Sequence, residues 1–96
     1  MDEKRYRESR ICRLLGNPIV YQLVILLEAG GPPTPSKLAK LIGRQVSTVS
    51  CKLRAADVVR YDTSGKETRY WLKHKSEMKR LLRMLEKVVD SSAKIG

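Results

Sequence analysis

Gln45-Val46-Ser47-Thr48-Val49-Ser50-Cys51-Lys52-Leu53-Arg54-Ala55-Ala56 is the stretch on which the reading of this chain turns. Val46, Val49, Leu53 and Ala56 recur at helical spacing, which predicts a helix with one apolar stripe facing a core. Ser47, Thr48, Cys51 and Arg54 then fall on the opposite, outward stripe. Serine and threonine are indifferent helix formers, each costing about a few tenths of a kcal/mol in a helix interior, so a cluster of them asks for a reason. Short hydroxyls beside a guanidinium suit a helix that comes close to base edges and phosphates in a major groove, although the same pattern also fits an ordinary surface helix.

The flanks give this helix a setting. Upstream, Thr34-Pro35 has the form of a cap followed by a first-turn proline and opens a helix from Pro35 to about Ile42. Leu38, Leu41 and Ile42 are expected to face inward there, with Lys37 and Lys40 facing solvent or phosphate, and Gly43 supplies the sharp turn before the next helix. Downstream, that helix is expected to end near Asp57, whose short side chain tolerates a left-handed backbone. Val58 to Thr63 and Glu67 to Leu72 are β-prone runs around Ser64-Gly65-Lys66, a hairpin with a basic tip. An isolated two-stranded hairpin is marginal in water, so this one should pack on the helices through Val59, Tyr70 and Leu72. Helix, turn, helix and ribbon together outline a winged helix-turn-helix, with the helix-turn-helix over about 35–56 and the wing over about 58–72. The predicted fold class is mainly α with a small β-hairpin, in a single domain over residues 1–96.

The remaining elements are helical. Asp2 to about Leu15 forms a charged helix with sparse apolar residues (Tyr6, Ile11, Leu14, Leu15), stopped by Gly16. Asn17-Pro18 starts a second helix to Glu28 that is apolar on nearly every side and should be the most buried. Gly30-Gly31-Pro32-Pro33 breaks the chain. From about Lys75 to Asp90, Met78, Leu81, Leu82, Leu85, Val88 and Val89 follow three-and-four spacing over a basic face. That stripe either pairs with a second copy or folds back on its own domain, and pairing is the favoured reading. Ser91 to Gly96 is expected to fray.

Twenty Lys and Arg against ten Asp and Glu give a net charge of +10 on 96 residues, which points to a polyanionic partner. The surplus sits in the helix-turn-helix and ribbon, where Lys37, Lys40, Arg44, Lys52, Arg54, Arg60, Lys66 and Arg69 face only Asp57, Asp62 and Glu67. The longest apolar run, Leu23 to Leu27, is too short to span a membrane, and the charged first ten residues do not form a secretory signal, so a cytoplasmic location is expected. Cys12 and Cys51 make neither a disulfide framework nor a zinc spacing. One histidine, no phosphate-binding glycine loop and no nucleophile motif leave nothing from which to build an enzyme, a cofactor site or a small-molecule substrate site. Besides a sequence-specific DNA reader, the composition leaves open an RNA- or protein-binding winged helix, with Tyr61, Tyr70 and Trp71 as stacking residues, and an architectural protein that coats DNA without sequence preference.

The order of elements resembles the ArsR/SmtB family of transcriptional repressors over nearly the whole chain, and MarR-like regulators share most of the pattern. Leu15-Gly16-Asn17-Pro18 is similar to the family's opening of its second helix, Ser47-Thr48-Val49-Ser50 with Leu53 to its recognition helix, and Gly65 with Tyr70 and Leu72 to its wing. The resemblance implies a DNA-binding repressor whose homodimer, joined through the first and last helices (about 2–15 and 75–90), sets two recognition helices in successive major grooves of a pseudo-palindromic operator. Half-sites then lie roughly 34 Å apart. It implies base and nearby phosphate contacts from Ser47, Thr48, Ser50 and Arg54, and wing contacts to the backbone or minor groove from Lys66 and Arg69. Lys37, Arg44, Gln45 and Cys51 border the same surface and complete the expected DNA-binding set. Ile11 and Leu14 join the last helix's stripe in the expected dimer interface.

Departures from the family narrow the expectation. Ser36 to Leu41 lacks the thiol pair through which many members sense metal, and His74, between Lys73 and Lys75, has no second histidine, so no metal site is expected unless one forms across the dimer. Val20 and Gln22 stand where many relatives carry arginine. Cys51 stands where the family often has a basic residue: it is either a tolerated substitution or a thiol switch, its oxidation adding bulk and charge at the DNA surface.

Overall fold

The computed structural model describes residues 2–95, with side-chain surroundings for residues 2–92. Helices α1 (Glu3–Leu15), α2 (Pro18–Glu28), α3 (Pro35–Ile42) and α4 (Val46–Ala55) precede strands β1 (Val59–Asp62) and β2 (Arg69–Leu72), and α5 (Lys75–Ile95) closes the chain.

Local chemistry sets the helix starts. The Asp2 carboxylate accepts a hydrogen bond from the Arg5 N–H at 3.0 Å, and Asn17 Oδ1 accepts from the N–H groups of Ile19 (3.0 Å) and Val20 (3.2 Å), with Pro18 in the first turn. The Asn17-Pro18 joint turns the chain by 93° between α1 and α2. That bend places α2 centrally, packed on α1, α3, α4, β2 and α5. Val20, Leu23, Val24 and Leu27 of α2 are buried among Leu38, Val49, Leu53, Tyr70, Leu72 and Leu82, so the later helices and β2 are laid on one apolar rod, and β1 joins through β2 and α4.

Glycine is required by the backbone at Gly43 and Gly31. Gly43 adopts φ +68° between α3 and α4, a left-handed turn that is costly for residues with a Cβ. A Cβ at Gly31 would lie 2.7 Å from the Leu26 carbonyl oxygen, which accepts the Gly31 N–H at 2.8 Å. The hairpin is antiparallel, pairing Val59 with Leu72 and Tyr61 with Tyr70. Val59, Tyr70 and Leu72 are buried, as expected of the residues through which the hairpin packs on the helices. The wing is also tied to the segment before α3 through its backbone, the Tyr70 N–H donating to the Pro33 carbonyl at 2.9 Å, while the Lys73 N–H donates to the Val58 carbonyl at 3.0 Å across the hairpin's own base.

Several expectations are corrected. Leu41 is 60% and Val46 47% exposed, not inward. Leu41 lies well off the face formed by Pro35, Leu38, Ala39 and Ile42, and Val46 occupies a first turn that projects beyond the core. No non-glycine residue described has a positive φ, so Asp57 does not take the left-handed form; Ala56 leaves α4 in an extended conformation. Thr34 sits at the cap position of α3 without a side-chain cap bond, and Gln45 precedes α4 rather than forming its first turn. Both strands are shorter than expected, and α5 runs to Ile95 through most of the segment expected to fray; Gly96 lies outside the described residues. The α5 stripe divides. Met78 and Leu82 are buried against α2 and belong to the domain's own core rather than to a dimer seam, Leu85 is half-buried, and Leu81, Val88 and Val89 remain exposed.

Candidate nucleic-acid interface

Polarity of α4 follows from its packing. Val49 and Leu53 anchor one side in the core, which leaves Ser47, Cys51 and Arg54 exposed on the other, with Gln45 and Arg44 exposed ahead of the first turn. Thr48 and Ser50 are half-buried at the edges of this face. Neither α3 nor α4 has a side-chain cap, so the first-turn backbone N–H groups, which have no intrahelical partner, gain none from the capping side chain either. The Thr34 hydroxyl is buried without a partner.

Among the described residues three cations are ion-paired, all of them α1 arginines. In α1, Arg5 pairs with Glu8 (2.9 Å) and Arg7 with Glu3 (3.0 Å), and Arg10 reaches across to Asp57 at 3.2 Å. Among the described residues, Lys37, Lys40, Arg44, Lys52, Lys66 and Arg69 enter no ion pair, and Arg10 occupies one of the few carboxylates near them. Lys37, Lys66 and Arg69 line one groove between the start of α3 and the wing, which Asp62 and Glu67 also border. Asp62 accepts the Ser64 N–H at 2.9 Å, and this bond holds its carboxyl below the usual carboxylate range.

Arg54 is placed otherwise than the sequence suggested. Its Nε donates to the Tyr70 hydroxyl at 3.3 Å, its Cζ lies 5.0 Å from the centre of the Tyr61 ring, and the two tyrosine rings are 5.7 Å apart at 43°. The hydrogen bond that Arg54 donates to Tyr70 is the first cause of a guanidinium pKa raised above its ordinary value. Sequence reasoning missed this cluster because its members come from three elements; Tyr61 and Tyr70 at paired positions were the available signal. Trp71, unlike Tyr70, stays 46% exposed.

Away from this face, Ile11, Leu15, Tyr21, Leu81, Leu85, Val88 and Val89 line a shallow apolar groove between α1 and α5. No residue of α1 is fully buried, and Leu14 is half-buried. Among the described residues, no three His, Cys, Asp or Glu stand together as metal ligands, and no single helix is long and apolar enough to cross a membrane. Cys12 and Cys51 are free and exposed. His74 borders a small apolar cleft with Val58 and Met78.

Known structures share this architecture. The Mb0332 domain of Mycobacterium bovis, described as a homodimeric winged helix-turn-helix DNA-binding domain and a possible ArsR-family regulator, superposes with a TM-score of 0.78 at 19% identity, over 100% of this chain and 94% of that one. The chain is a winged helix-turn-helix. The AntR antimony-specific transcriptional repressor matches this winged helix at 0.79 and 20% identity over 98% of this chain and 86% of its own. The repressor BigR of Xylella fastidiosa matches at 0.69 and 24% identity, over 90% of each. No sequence profile of a known family and no curated protein matches the chain. In the winged helix, α3 and α4 are the helix-turn-helix and the β1–β2 hairpin is the wing.

Proposed function

We propose that this winged helix is a sequence-specific, double-stranded-DNA-binding transcriptional regulator that acts as a repressor. The observation that carries the reading is the exposed small-residue face of α4 flanked by Lys37, Arg44, Lys66 and Arg69, none of which is ion-paired among the described residues. A face of that width and polarity enters a major groove: Arg44, Gln45, Ser47, Thr48 and Cys51 lie over base edges and the nearest phosphates. Lys37, Lys66 and Arg69 lie along the flanking backbone. Ser50, half-buried, contributes little.

The chain acts as a homodimer on a pseudo-palindromic operator. Support comes from α1 and α5, which leave Ile11, Leu81, Val88 and Val89 exposed along one apolar groove, and from Mb0332, a homodimer of the same fold. Repression is argued by analogy with AntR and BigR, and requires only that an occupied operator exclude the transcription machinery. The protein acts in the cytoplasm by binding rather than by catalysis.

One observation favours a second reading. Tyr61 and Trp71, each 46% exposed on the wing, offer flat surfaces on which unpaired RNA bases stack. Selection of bound molecules from random duplex DNA and random single-stranded RNA, with solution mass measured alongside, separates the two. The account expects a dimer that enriches one short duplex palindrome, at affinities falling about a thousandfold or more between 50 and 200 mM salt if six or more phosphates are neutralised. Enrichment of single strands, or a monomer without sequence preference, contradicts it.

A further inference from the structure

We propose that Arg54 is a positioning residue that locks the wing to the recognition helix, and that its contribution to binding is delivered through the wing rather than by contact with DNA. The inference rests on the DNA-binding reading above and assigns Arg54 a place within it.

Three observations converge. First, one guanidinium touches both wing strands: Nε donates to the Tyr70 hydroxyl of β2 at 3.3 Å while Cζ stacks 5.0 Å from the ring of Tyr61 on β1. Tyr61 and Tyr70 are cross-strand partners, so Arg54 holds a matched pair. Among the described residues this is the side-chain hydrogen bond that joins α4 to the hairpin. Second, its anchor is rigid. Tyr70 is 1% exposed, and its N–H is held by the Pro33 carbonyl at 2.9 Å, so the hydroxyl is a fixed acceptor. Third, Arg54 is the ninth of the ten residues of α4, about 12 Å along the axis from Val46 at 1.5 Å per residue. Helices of this class read bases chiefly with their N-terminal residues.

The physical need is clear. Strands of four residues each do not fix a hairpin's angle by themselves, and the wing cations Lys66 and Arg69 reach the duplex only if that angle is right. Arginine suits the task because its planar fork stacks on one ring while donating to another; lysine offers a charge but neither geometry.

A double-mutant cycle tests the proposal, using a duplex selected by the wild-type protein. Arg54→Ala and Arg54→Lys are both expected to weaken binding about tenfold, the equivalent of about 1.4 kcal/mol. Tyr61→Leu, which removes no charge, is expected to weaken it comparably. In a Lys66→Ala/Arg69→Ala background the Arg54→Ala effect should fall below about twofold, because no wing contact remains to be positioned. Base preferences recovered by selection with Arg54→Ala should match those of the wild type. Full additivity with the wing substitutions, or wild-type affinity for Arg54→Lys, overturns the proposal.

A second arm needs no DNA, so it separates failure of the clamp from failure of the functional reading. In the free protein the Arg54 Nε–H resonance should be protected from solvent exchange, and Tyr70→Phe, which deletes only the hydroxyl, should abolish the protection. An Nε–H that exchanges freely in the wild type overturns the clamp, whatever nucleic acid the protein binds.

Discussion

Leu82 and the Val88-Val89 pair lie on one helix yet should fail in opposite ways when shortened. Leu82 is 4% exposed and packs in the domain core, so Leu82→Ala removes buried methyl groups and leaves a cavity at a cost of about 2–5 kcal/mol in folding stability. Val88 and Val89 are 60% and 66% exposed, so replacing them by serine should alter the stability of the protomer by no more than about 0.5 kcal/mol. Their value lies in the dimer. Full burial of a valine is worth about 1.5 kcal/mol, and roughly two thirds of that remains to be gained, or about 1 kcal/mol per residue. An isologous interface counts both residues on both copies, so Val88→Ser/Val89→Ser should weaken association by about 4 kcal/mol, nearly a thousandfold. Sedimentation over a dilution series gives the association constant, and denaturant midpoints over the same series separate folding from assembly. The leucine variant should lose stability at every concentration; the valine variant should lose the concentration dependence itself. An unchanged association constant for the double valine variant, or unchanged stability for Leu82→Ala, refutes the division of α5 into core and seam.

Other expectations follow from single groups. Asn17→Ala removes an acceptor that serves two N–H groups at the start of the central helix and should cost about 1 kcal/mol, read as a lower denaturation midpoint. Asp62 has a folded-state pKa below its unfolded value, so the wing-tip order it supports is present above the unfolded pKa and lost as pH falls through the folded one. The Ser64 amide resonance should therefore titrate at acid pH below the ordinary carboxylate range, and Asp62→Asn should abolish that titration. Oxidation of exposed Cys51 by mild peroxide should release duplex DNA; Cys51→Ser should resist, whereas Cys12→Ser, in α1, should respond like wild type. Equal sensitivity of Cys51→Ser and wild type would remove the thiol from the mechanism.

The fold was legible wherever a single residue type has one dominant use. Asn17-Pro18 and Gly43 marked two joints, and the need of a lone hairpin for support picked out Val59, Tyr70 and Leu72 as the buried residues of the wing. Errors arose where periodicity had to stand in for three-dimensional placement. Spacing alone treats Met78, Leu82, Val88 and Val89 as one stripe, but α2 is short, so α5 outruns it and only the first half of the stripe finds a core. Val46 has the right angle for burial but begins its helix, and there it stays 47% exposed. The outward set of α4 was readable from its apolar stripe, while the attachment of Arg54 to Tyr61 and Tyr70 was not, because it depends on how closely α4 and the hairpin are packed. Arg10 and Asp57, 47 residues apart, carry no local signal either.

The central claim is that two copies of α4 read successive major grooves. Methylation protection of guanine N7 on a duplex selected by the wild-type dimer tests it most directly, because N7 lies in the major groove. The account predicts two protected patches centred about 10–10.5 base pairs apart and related by a dyad. Protection at a single patch, or protection spread evenly along the duplex, contradicts it.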